Sequence, residues 1–139
     1  MTTTVKKIHD EAEVLALVET ALSWDLYGTD LPAVEDALSM AKEFTAHGRI
    51  IVEDLRTECL NILADSDVAA SAQATLGEAG RRLNLRPLAG SASPQSAAHR
   101  AQNLARLVQS LIRALGQVHE ARALITRQQS AHTTTKGTQ

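Results

Sequence analysis

Arg81, Arg82 and Arg86 bring three guanidinium groups into six residues. Arg82 and Arg86 are one helical turn apart. On a helix that spacing sets both on one face, where planar forked donors can hold a phosphate or a carboxylate. The same three cations also suit the negative C-terminal end of a helix, as solvated side chains. Spacing alone leaves both readings open.

Trp24, Asp25, Tyr27 and Asp30 place two of the three aromatic residues and two carboxylates within seven positions. Such a cluster can rim a small-molecule site. Trp24 also continues an apolar helical period, which would make it a cap on the core instead.

The histidines are His9, His47, His99, His119 and His132. None pairs with a second ligand at a dedicated metal spacing, so no metal is expected. His47, beside Gly48, and His119, at the edge of an apolar stripe, can each transfer a proton or contact a ligand. The simpler reading of each is a boundary histidine with its polar edge in water. Cys59 is the only cysteine. A nucleophilic role requires an activated thiolate, and no neighbouring base or helix N-terminus supplies one, so it reads as a small buried hydrophobe. Gly48 occupies a core position in an otherwise periodic helix, where glycine costs stability. A crossing helix, a kink or a bound ligand would each explain a close approach there. Glycine-rich phosphate loops and a Ser-His-Asp order are absent from the sequence, and no cofactor is expected. The candidate ligand-binding residues are therefore Trp24, Tyr27, His47, Gly48, Arg82 and His119, and no catalytic residue stands out.

The elements that position these residues follow from periodicity. The chain has 139 residues, 44% hydrophobic but only 2% aromatic, with 23 alanines. That composition suits closely packed helices and is poor material for a sheet. Asp10 and Glu13 read as a capping box before Val14, Leu17, Val18, Ala21 and Trp24, predicting a first helix over 11–24. Pro32 opens a second, over 32–63, whose apolar face runs Val34, Ala37, Ala41, Phe44, Gly48, Ile51 and Leu55. Asp65-Ser66-Asp67 breaks the chain before a third helix over 68–85, with Ala72, Leu76, Ala79 and Leu83 inward and Gly77 and Gly80 weakening it. Ser93-Pro94 starts a fourth over 94–127, with Ala101, Leu104, Val108, Leu111, Leu115 and Val118 as its seam.

The fold class is all-α: an antiparallel four-helix bundle with two long helices, over 32–63 and 94–127. A single bundle domain is expected over 10–128, after a flexible N-terminus (1–9) and before a disordered polar tail (129–139). The long helices would reach about 45–50 Å and outrun the short ones, leaving apolar ends that a second subunit would cover, so a homodimer is expected.

Residues 1–65 carry 13 acids against 5 bases, and residues 66–139 carry 3 against 9. The halves can attract each other within one bundle, or the basic half can meet nucleic acid or an anionic ligand. The bases are spread out rather than clustered, and the net charge is −2, which argues against nucleic acid. A single cysteine, no apolar run near 20 residues and no apolar signal core at the start predict a cytoplasmic protein without a membrane span.

The stretch Gly77-Glu78-Ala79-Gly80-Arg81-Arg82-Leu83, with His99-Arg100-Ala101-Gln102-Asn103-Leu104-Ala105-Arg106-Leu107-Val108 beyond a Pro/Gly loop, resembles a family of small actinobacterial proteins labelled natural-product biosynthesis proteins. The resemblance covers about residues 30–120. Gly80 and Asn103 depart from the arginine-rich pattern. It implies a place in specialised metabolism and carries no catalytic residue. The function this suggests is that of a small helical accessory protein, binding a metabolite intermediate or a partner biosynthetic enzyme. A cyclase or isomerase using an apolar bundle cavity to hold its substrate is the alternative. A regulator binding DNA through the basic half is the second.

Overall fold

The computed structural model describes residues 11–137, with side chains through Ser130; residues 1–9 and Asp10 of the expected capping box lie outside the described residues. Four helices follow in order: α1 (Glu11–Leu22), α2 (Val34–Cys59), α3 (Asp67–Leu83) and α4 (Pro94–Gly137), and no strand occurs among the described residues.

The helix boundaries follow from local hydrogen bonding. α2 begins after Pro32, not at it. Ala33 is still extended and offers no side-chain cap, while Glu35 and Asp36 place negative charge at the positive end of the helix dipole. α2 ends at Cys59, short of Leu63. Leu60 and Asn61 donate to the carbonyls of Thr57 and Glu58 in a tightened last turn. Leu60 and Leu63, 84% and 65% exposed, find no surface that would stabilise a longer helix. At α3, Ser66 accepts at Oγ from the Ala69 amide, 3.1 Å away. At α4, Ser93 caps through Oγ to the Ser96 amide at 3.0 Å, just before Pro94. The backbone of α4 continues past the expected end at Arg127 to Gly137, through most of the segment expected as a disordered tail.

Successive helices run antiparallel, which makes α2 and α4 parallel. Gly48 approaches Leu111, and farther along Glu58 pairs with Arg122 at 2.8 Å. α3 runs the other way, so its last residue, Leu83, reaches Gly48. The parallel pair α2 and α4 forms the most extensive interface; α3 packs on both, α1 packs chiefly on α4, and α1 and α3 do not meet. Small side chains permit this close diagonal pair. Ala37 and Ala41 of α2 and Ala97, Ala98, Ala101 and Ala105 of α4 are all buried. Phe44, Leu55, Leu107, Leu111, Val18, Val108 and Val118 supply the bulk of the core.

His119, at the edge of the apolar face of α4, is exposed. Gln102, which belongs to no apolar stripe counted along α4, is buried at 4% exposure. Its Nε2 donates to the carbonyls of Ala21 and Trp24, both at 2.9 Å, and so closes the C-terminal end of α1 onto α4. No described helix is long and apolar enough to cross a membrane.

Candidate functional site

The end of α3 builds one wall of a groove. The chain leaves α3 at Leu83, where Asn84 Nδ2 donates to the carbonyl of Gly80 at 2.8 Å, and then runs through Leu85, Arg86, Pro87 and Leu88 toward α4. Two arginines from the flanking helices hold this segment by its backbone. Arg49 of α2 donates from Nη2 to the Leu83 carbonyl at 2.9 Å, and Arg100 of α4 donates from Nη1 to the Arg86 carbonyl at 2.8 Å.

Between them lies a groove of about 590 Å³, open to solvent and bounded by α2, the segment after α3 and the first turns of α4. Its apolar surface comes from Leu38, Leu83, Leu85, Pro87, Leu88 and Leu104. Lys42, Arg49, Arg82 and Arg100 supply four cationic heads, and none of the described residues lining it is acidic or aromatic. Glu78 stands behind Arg82, with Oε2 2.8 Å from Arg82 Nε and Oε1 2.6 Å from Arg81 Nη2. The hydrogen bond from Arg81, then the charge of Arg82, hold the Glu78 carboxyl below its ordinary pKa.

Of the six ligand-binding residues expected from the sequence, Arg82 lines this groove. Gly48 lies behind its wall. α2 runs unbroken through it, and a Cβ there would come within 3.1 Å of Leu83 Cδ2 and 3.7 Å of Leu111 Cδ1. Helix packing therefore accounts for the glycine. His47 is half-buried on α2 and does not line the groove. Trp24 is half-buried against the core beyond α1, and Tyr27 is 91% exposed in the following turn. That turn uses the Asp25 carboxylate internally, since Oδ1 accepts from the Tyr27 amide at 3.0 Å. His119 lies toward the opposite end of α4, whose neighbours Gln117 and Glu120 face the start of α3. These residues do not converge on one place.

Cys59 is partly buried against the core, and desolvation pushes its thiol pKa up, away from thiolate chemistry. Among the described residues no group of three or more His, Cys, Asp or Glu is placed to hold a metal ion.

Lys42 and Arg49 lie outside the apolar face counted along α2, and Arg100 outside the seam of α4, so periodicity singled out none of the three. One signal was present. Lys42 and Arg49 are seven residues apart, hence on one stripe, and the acid four residues beyond Arg49, Glu53, pairs with Arg56 at 2.8 Å.

Fold and groove together define a small antiparallel helical bundle with a cation-lined, apolar-walled surface cleft. The chain belongs to a family of unknown function (DUF6415), whose model matches residues 12–120 and so covers α1 from its second residue, all of α2 and α3, and α4 as far as Glu120. No curated protein and no solved structure shows a significant match.

Proposed function

We propose that the protein is a small helical accessory protein of natural-product biosynthesis that binds a metabolite intermediate in the groove between α2, the segment after α3 and α4. One observation carries the binding part. The groove has the volume of a small-molecule site, about 590 Å³, and combines an apolar wall with a few polar groups, as such sites do. The metabolic setting rests on the resemblance of residues 77–83 and 99–108 to proteins carrying that label. Inactivating the gene tests the setting. The producing strain should then lose or change a specialised metabolite, and an unchanged metabolite profile would contradict the proposal.

The same reading takes the chain as a homodimer. α2, at 26 residues, is longer than α1 and α3, α4 extends well past the Glu58–Arg122 pair with Leu124 half-exposed, and Leu60 and Leu63 are exposed after the end of α2. A second copy would cover these residues.

A further inference from the structure

The charges around the groove restrict what can occupy it. Four cations without an acid among the described lining residues would repel one another and attract an anion. Their present partners leave most of that charge in place. Arg49 and Arg100 bond to main-chain carbonyls, which orient the guanidinium groups but carry no charge. Arg82 does have a carboxylate, but Arg81 shares it. A guanidinium has five N–H donors, so each arginine keeps donors for a ligand while its stem is held.

The apolar wall restricts the occupant further. Leu85 is 51% exposed, with Pro87 and Leu88 beside it and Leu38 and Leu104 across the groove. A bare inorganic anion would leave that surface wet, and a purely apolar ligand would strip water from charged heads without replacing it. With no aromatic in the described lining, a base has nothing to stack on.

We propose that the groove binds an amphipathic organic anion, a single carboxylate or phosphate on an apolar body, its head met by Arg82 with Arg49, Arg100 or Lys42 and its body laid on Leu85, Pro87 and Leu88. This rests on the ligand-binding reading above and names the chemistry of that ligand.

Calorimetric titration of the full chain with decanoate, decyl phosphate, decanol and inorganic phosphate, each below its aggregation limit, tests it. At low salt, one or both amphipathic anions should bind saturably and at least about tenfold tighter than decanol or inorganic phosphate. That advantage should shrink at high salt, because the heads are solvent-accessible. The double variant Lys42→Gln/Arg82→Gln, with both changes at accessible side chains, should stay folded with at most a small drop in thermal midpoint from the lost Glu78 pair, and lose the advantage. Leu88→Glu, which puts an acid on the wall, should weaken decanoate more than decanol. Equal affinity for decanol and decanoate, unchanged in the double variant, would overturn the anionic assignment and leave the ligand-binding reading standing. Inorganic phosphate binding as tightly as decyl phosphate would overturn the amphipathic one. Binding of no amphiphile would overturn both.

Discussion

Arg49 donates to the main-chain carbonyl of Leu83 at 2.9 Å, one residue after Gly48 makes room for the Leu83 side chain. Adjacent residues of α2 thus grip the last residue of α3 in two ways, one by a charged hydrogen bond and one by having no side chain. This grip sets the wall of the groove. Gly48→Leu should destabilise the fold by about 1–3 kcal/mol through overpacking against Leu83 and Leu111. Gly48→Ala should stay within about 1 kcal/mol of the parent, because gained helix propensity offsets a 3.1 Å contact with a mobile Leu83 methyl. Urea unfolding of the two variants checks this ordering, and a stable Gly48→Leu would show that the space is not filled as described.

Gln102→Leu should cost about 1–3 kcal/mol. It removes the side-chain amide that donates to the Ala21 and Trp24 carbonyls at the end of α1, and leaves the Trp24 carbonyl without that donor at a closed interface. Amide exchange in α1 should accelerate more than in α2 or α4, as expected when one helix loses its anchor. Uniform acceleration would instead indicate global loosening.

Glu78→Gln should tighten binding of an amphipathic anion, since Arg82 loses its competing carboxylate. It should also change the response to acid. The Glu78 carboxyl is held below its ordinary value of 4.5 in the folded chain. Its ion pairs therefore contribute stability fully above that ordinary value and lose it as pH falls through the lowered folded value. The variant should lack this component of acid destabilisation. Thermal midpoints of parent and variant should converge at low pH, and a constant gap across the acid range would contradict the assignment.

Light scattering at micromolar concentration should give the mass of two chains. Leu124→Glu, at the exposed end of α4, should shift the mass toward one chain without altering helix content. A single-chain mass for the parent would rule out the homodimer.

Periodicity made the bundle legible. Ala72, Leu76, Ala79 and Leu83, read as the inner face of α3 from spacing alone, are all buried, as is the Ala37-to-Leu55 stripe of α2. Apolar burial repeats with the helix, so a stripe can be counted before any neighbour is known. Gln102 was not legible, because its burial depends on two carbonyls about 80 residues earlier in the chain, which no local spacing reveals. The groove was legible only at Arg82. Its lining comes from 38–49, 82–88 and 100–104, segments that meet only once α2, α3 and α4 have packed. His119 is exposed, in keeping with a boundary histidine whose polar edge is in water.

The claim that the groove is the binding site is tested most directly by following the backbone amides of the full chain by nuclear magnetic resonance while decanoate is added. Shifts concentrated at 38–49, 82–88 and 100–104, and lost in Lys42→Gln/Arg82→Gln, are the predicted result. Shifts confined to other faces of the bundle, or none at saturating decanoate, would contradict it.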